Sequence, residues 1–289
     1  MIKSQWPTLL RHNPRLRMGA VLGLLLAVGI AFSLSGVSLV RAATATISAQ
    51  PISAPLPETD PFSPLWDRSP QAVVPMSAQQ MWQPGGGGTT PEVRVRALHN
   101  GKRIAFLLNW TDDTRNDYVK DVSSDAAAIE LPFDAHNLPY QCMGMSGNRV
   151  NIWQWKAALQ QVAQDTGQAN NGVRNLTSNG MGKAVETPGV VPTGDAVWRD
   201  GQWYLVFARA VSAGDSGSAP LLVGSPTNAA FAIWNGAKGE TRAMKSVSTW
   251  MPVEIAEVGA AGTTNHLVLG VSILAAVGAV ALAWRLIPR

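Results

Sequence analysis

Two uncharged apolar runs bracket the chain, residues 18–40 and 267–284, and they limit where the rest of it can fold. Each approaches or exceeds the ~20 residues an α-helix needs to cross a bilayer. The first follows an acid-free segment carrying Lys3, Arg11, Arg15 and Arg17, and the second is followed by Arg285 and Arg289. Basic flanks stay on the cytoplasmic side, so both signals place the intervening residues outside the cytoplasm. The expected organisation starts with a cytoplasmic basic tail and transmembrane signal-anchor over residues 1–45. Ala43-Thr44-Ala45 also reads as the A-x-A cleavage site of a signal peptide, and both readings stand. Residues 46–64, rich in Ala, Ser and Pro, are expected as an extended linker. A folded exocytoplasmic domain over 65–262 and a C-terminal transmembrane anchor over 263–289 complete the chain.

Charge placement narrows the partners. No acid precedes Glu58 and none follows Glu257, while seven of the 23 basic residues lie in the two tails. The 19 acidic residues therefore outnumber the remaining 16 basic ones in the middle. The basic pI belongs to the tails, and nucleic-acid binding by the central domain is excluded. The only cysteine, Cys142, leaves no internal disulfide framework, C-x-x-C-H haem attachment, or multi-cysteine zinc or iron–sulfur site.

The middle reads as short strands with turn signals. Val93, Val95 and Ala97 alternate with Glu92, Arg94 and Arg96, and Asn100-Gly101 has the composition of a type I′ turn. A second hairpin turns at Asp200-Gly201, with Val197, Trp203, Leu205 and Phe207 at alternating core positions. Residues 125–133, ending at Pro132, and 231–236 add further strands. Residues 160–193 read as a polar surface excursion, and the glycine-rich 84–90 as a plain connector. The fold class is mainly β: an antiparallel β-sandwich with short helices and long loops, flanked by N- and C-terminal transmembrane helices.

Catalytic signatures are missing. No G-x-S-x-G, H-E-x-x-H or dinucleotide fingerprint occurs. Asp112, Asp113 and Asp117 lack the spacing of an EF-hand and read as a solvated turn. His99, beside a turn, and His136 read as surface residues. The chemically unusual stretch is 141–157, Q-C-M-G-M-S-G-N-R-V-N-I-W-Q-W-K-A. It sets the thioethers of Met143 and Met145 beside Trp153 and Trp155. Two readings stand: a loop presenting soft ligands to a cofactor, or methionines filling an irregular core gap. The run from Val150 alternates like a strand or opens a helix.

Several stretches together resemble the haem b-binding subunit of type II dimethyl sulfoxide reductase-family molybdoenzymes, the ethylbenzene dehydrogenase gamma-subunit type. They are residues 66–80, R-I-A-F-L-L-N-W-T-D-D-T at 103–114, D-A-A-A-I-E-L-P-F at 125–133, Met143-Gly144 with V-N-I-W-Q-W-K-A at 150–157, and F-A-I-W-N-G at 231–236 with M-K-S-V-S-T-W at 244–250. The resemblance implies one haem b whose iron is held between a methionine and a lysine. Met143 and Lys245 match those motif positions, with Met145 as rival methionine and Lys238, Lys156 and Lys183 as weaker lysines. Trp153, Trp155, Trp234 and Trp250 would wall the cofactor pocket or fill the sandwich core, and Asn151 would contribute to the pocket. A lysine ligates only as the neutral amine, and burial in an apolar pocket lowers its ordinary pKa of about 10.4 toward that form. The chain would then be a non-catalytic electron-transfer subunit at the outer face of the cell membrane; the alternative is a membrane-anchored carbohydrate- or ligand-binding β-sandwich that uses exposed tryptophans and has no redox role. The electron-transfer subunit's implied partners are a molybdenum-containing catalytic subunit and an iron–sulfur subunit, which would hold those cofactors, and a quinone or cytochrome.

Overall fold

The computed structural model describes residues 46–118, 123–139, 143–168, 172–187, 189–211 and 214–257. The apolar runs 18–40 and 267–284 lie outside the described residues. Among the described residues no helix is long and apolar enough to cross a membrane.

Fourteen strands are described, eleven of them joined in the order β10-β11-β5-β4-β1-β14-β12-β6-β7-β8-β9, with β2 off this path against β4 and β13 against β12 and β3. The chain runs β1 (Ile47–Pro51), β2 (Ala72–Pro75), β3 (Ser77–Ala78), β4 (Glu92–His99), β5 (Arg103–Thr111), β6 (Ala126–Pro132) and β7 (Val150–Lys156). One helix, α1 (Ala157–Thr166), precedes β8 (Val173–Ser178), β9 (Val185–Glu186), β10 (Thr193–Arg199) and β11 (Gln202–Ala210). The last strands are β12 (Pro226–Trp234), β13 (Ser246–Val247) and β14 (Met251–Ile255). The ladder becomes two layers at β12. Its first half pairs with β14 up to Ala229↔Met251, and its second half pairs with β6 from Ala230↔Glu130 onward. Side chains then meet between layers: Phe106 on β5 lies 6.1 Å from Trp153 on β7, and Trp155 lies 5.0 Å from Trp203 on β11. This is the expected sandwich, filled by aromatic edges and faces. Trp155→Ala removes a fully buried indole that also donates to Gln160 Oε1 at 2.7 Å. A loss of about 3–5 kcal/mol is expected, read from the urea unfolding midpoint.

Several local expectations are corrected. Residues 47–51, inside the expected linker, form β1, which lies parallel to both β4 and β14. Ile47 and Ala49 alternate inward from this strand, a period-2 signal too short to stand out beside the Pro-rich residues that follow. The sheet is therefore not wholly antiparallel. In the β4–β5 hairpin only Gly101 takes positive φ, and the Asn100 side chain instead accepts from Lys102 N–H (3.1 Å) and Arg103 N–H (2.9 Å). At the β10–β11 turn both Asp200 and Gly201 take positive φ, as a type I′ turn demands. That register pairs Val197 with Tyr204 and Ala196 with Leu205. Cross-strand partners share a face, so Ala196, not Val197, lies with Leu205 and Phe207 in the core. Within 160–193, β8 pairs along β7 from Val150↔Ser178 to Trp155↔Val173. His99 is buried rather than at the surface, because β4 is paired on both sides, through Pro51↔His99 and His99↔Ile104.

Asp112 is not part of a solvated turn. It lies buried beside Asp125, which accepts from Asn116 N–H (2.7 Å), Gly236 N–H (2.8 Å) and Trp203 Nε1–H (3.0 Å). Burial, reinforced by the neighbouring Asp125 charge, pushes the Asp112 carboxyl up to about 7. Above pH ~4 the unfolded chain gives up this proton while the folded chain keeps it. Stability therefore falls as pH rises toward 7, by up to ~1.4 kcal/mol per pH unit for one proton, and this contribution levels off above the folded pKa. Asp112→Asn is expected to flatten that slope, checked by unfolding free energies measured from pH 5 to pH 8.

Candidate functional site

β6 is buried along its whole length, although only one of its faces meets the other sheet. Ala127, Ile129 and Leu131 point into the inter-sheet core. Ala126, Ala128 and Glu130, on the opposite parity, face outward. There Ala126 and Ala128 join Val150 and Ile152 of β7, Leu176 of β8 and Trp234 of β12 in a second apolar cluster. Met143, Ala184, Ala232 and Trp250 pack around it. Three alanines give this face low relief, while the indoles rise at its edge. Trp234 Nε1–H donates to Arg242 O at 3.0 Å and Trp250 Nε1–H to Pro139 O at 2.8 Å, which fixes both rings.

Two segments bring a thioether and an amine to this face. Met143 and Gly144 both have positive φ, 70° and 74°. Met143 N–H donates to Glu130 Oε2 at 3.2 Å, and Met143 O accepts from Gly180 N–H at 2.9 Å. Gly144 is required: a Cβ there would lie 2.8 Å from Ser178 O. Met145, two residues on, sits in a tight turn with Asn148 and is 42% exposed. Met143, not Met145, is the methionine against the apolar cluster.

Lys245 is 7% exposed, with Nζ 4.9 Å from the Trp234 ring centroid. Its backbone is clasped by the glycine-rich segment expected as a plain connector. Lys245 N–H donates to Gly86 O (3.2 Å), and Lys245 O accepts from Gln79 N–H (3.1 Å). Buried Glu240 ties the same loop down, accepting from Thr89 N–H (3.0 Å), Thr89 Oγ1–H (2.8 Å) and Asn235 N–H (2.9 Å). Of the rival lysines, Lys238 and Lys183 are exposed, and Lys156 is half-buried opposite Ala126 at the end of β7.

Asn151, Trp153 and Trp155 do not share this face, and the two indoles take the core-filling one of the two places expected for them. They occupy the inward parity of β7. Both indoles lie in the inter-sheet core. Asn151 Oδ1 accepts from Trp153 Nε1–H (3.1 Å) and Arg209 Nη1–H (3.3 Å), and its amide donates to Asn175 Oδ1 (2.7 Å). The sequence reading missed Glu130. Burial pushes its carboxyl up to about 7, against the pull of Met143 N–H, the Lys245 charge and Gly144 N–H. An acid at the third outward position of an otherwise apolar strand was the available signal.

A broad apolar face of low relief, edged by indoles and reached by one thioether and one buried amine, suits a flat tetrapyrrole with iron. The donor types agree, since thioether and amine both ligate haem iron without adding charge. The ethylbenzene dehydrogenase family model matches residues 63–191 and 186–246. The chain belongs to the ethylbenzene dehydrogenase family. The matched span includes Glu130, Met143 and Lys245 and the glycine-rich loop, and it leaves out β1 and β14. A Haloferax mediterranei protein named for the heme subunit of a respiratory nitrate reductase is 28% identical over 206 residues, 69% of this chain and 70% of that one. The chlorate reductase subunit gamma of Ideonella dechloratans is 25% identical over 201 residues, 65% and 75% of the two chains. Among solved structures, a family 9 carbohydrate-binding module of Caldicellulosiruptor kristjanssonii with glucose aligns at a TM-score of 0.42. It is 9% identical over 76% of this chain and 99% of that one.

Proposed function

We propose that this chain is a membrane-anchored haem b electron-transfer subunit of a multi-subunit molybdenum oxidoreductase, in which Met143 and Lys245 would hold the haem iron. The observation that carries the reading is the gathering of Met143 and Lys245, from distant segments, around one apolar face that also holds Glu130. Family membership and relatives named for a nitrate reductase heme subunit and a chlorate reductase gamma subunit support it. Haem b, when bound, supplies one-electron exchange. The Met143 thioether, a soft donor, favours the reduced metal and raises the potential. Lys245, on a buried segment, would ligate through its neutral amine. Ala126, Ala128 and Ala232 form the floor, and Trp234 and Trp250 exclude water at the edge.

Electrons would pass between this subunit and an iron–sulfur partner, with substrate chemistry at a molybdenum cofactor in a third chain. Residues 18–40 and 267–284 would hold the domain at the exocytoplasmic face of the membrane, within reach of a quinone or a cytochrome. A sugar-binding role on exposed tryptophans finds no platform: among the described residues only Trp82, at 48%, is an exposed tryptophan. The test is the full chain purified in detergent and supplied with haem. A Soret band and a dithionite-reducible α-band are expected, with a molybdenum subunit co-purifying from the native source. A folded chain that stays colourless after reconstitution overturns the proposal.

A further inference from the structure

Glu130 stands in the middle of β6, paired with Ala230 on one side and Ile152 on the other. It is 9% exposed, and its outward neighbours on the strand are Ala128 and Pro132. A carboxyl group in an apolar face costs free energy unless its oxygens are used. One oxygen is used: Oε2 accepts from Met143 N–H at 3.2 Å, while among the described residues Oε1 finds no hydrogen-bond partner. That one bond holds the backbone of a methionine at φ 70°, a left-handed conformation that a non-glycine residue leaves unless held. The anchor sits on a strand paired on both sides, so it does not move with the loop it holds.

We infer that Glu130 is the positioning residue of the site, its carboxyl fixing the Met143 loop through the Met143 N–H. Glu130 sets where the thioether points without touching the iron. The inference rests on Met143 and Lys245 being the iron ligands.

The test uses the full chain loaded with haem. Glu130→Leu removes the acceptor, Glu130→Gln keeps an amide oxygen in its place, and Glu130→Asp draws the acceptor back by one methylene. In Glu130→Leu the methionine-to-iron charge-transfer band of the ferric protein is expected to disappear, and carbon monoxide to bind the ferrous protein at least ten-fold more tightly. Glu130→Gln is expected to restore both signals. Glu130→Asp, the variant to use if Glu130→Leu does not fold, is expected to weaken the band while near-ultraviolet circular dichroism stays native. A wild-type band and carbon monoxide affinity in folded Glu130→Leu or Glu130→Asp overturns the inference, and so does a Glu130→Gln protein that fails to restore them. Met143→Ala is measured alongside. If its spectrum is wild-type, the ligand assignment itself fails; if it changes while the folded Glu130 variants do not, only the role of Glu130 fails.

Discussion

Met143→Ala is expected to abolish the low-spin haem spectrum, and Met145→Ala to leave it unchanged. The two methionines are separated by one glycine, yet the backbone treats them oppositely. Met143 is pinned by Glu130 and Gly180 and packs against the apolar face, whereas Met145 lies in the turn closed by Asn148 with its side chain 42% exposed. Without the thioether the iron keeps one protein ligand, and a water or a buffer ligand takes the open position. The expected result is a high-spin or mixed spectrum. The midpoint potential also falls, because the soft donor that favours ferrous iron is gone. Lys245→Ala is expected to disturb the spectrum as strongly from the amine side. Absorption spectra and a redox titration on the loaded chain check all three variants. An unchanged spectrum in Met143→Ala, with a changed one in Met145→Ala, would transfer the role to Met145 and mean that the 143–149 loop rearranges on binding.

Much of the sandwich was legible because strand parity and turn chemistry are local. Asp200-Gly201 announces its turn, and residues 125–133 announce a strand whose length suits a central position. Parity goes wrong where two registers compete: Val197 looks like a core residue until the two-residue turn fixes Ala196 opposite Leu205. β1 escaped because its partners, β4 and β14, come from far along the chain, and no local pattern records a parallel pairing. For the site, Met143 and Lys245 were legible only through motif resemblance. The spacing of Trp153 and Trp155 says that they share a face, but not which face. The structure puts them inward, where Trp155 meets Trp110 and Trp203. Glu130 was hidden for a related reason: its partner, the N–H of Met143, is a backbone group that leaves no side-chain signature.

Gly87→Ala is expected to damage the haem site although Gly87 is no ligand and lies far from Lys245 in sequence. A Cβ at Gly87 would fall 2.3 Å from Lys245 N and 2.7 Å from its Cα, so backbone must move to admit it. The movement breaks the hydrogen bonds that clasp the segment, Lys245 N–H to Gly86 O and Gln79 N–H to Lys245 O, each worth about 0.5–1.5 kcal/mol. It also displaces the lysine stem from Trp234. Gly86→Ala supplies the control. It too sits at positive φ, 119°, but a Cβ there meets nothing within 4 Å. Both variants bear the conformational penalty of about 1–3 kcal/mol for a side chain in that region, and only Gly87→Ala adds the collision. Gly86→Ala should lose a few degrees of thermal stability and keep a wild-type haem spectrum. Gly87→Ala should lose more stability and show the spectrum of Lys245→Ala. If both variants instead melt together and keep the wild-type spectrum, the loop yields freely and the glycine clasp does not set the position of Lys245.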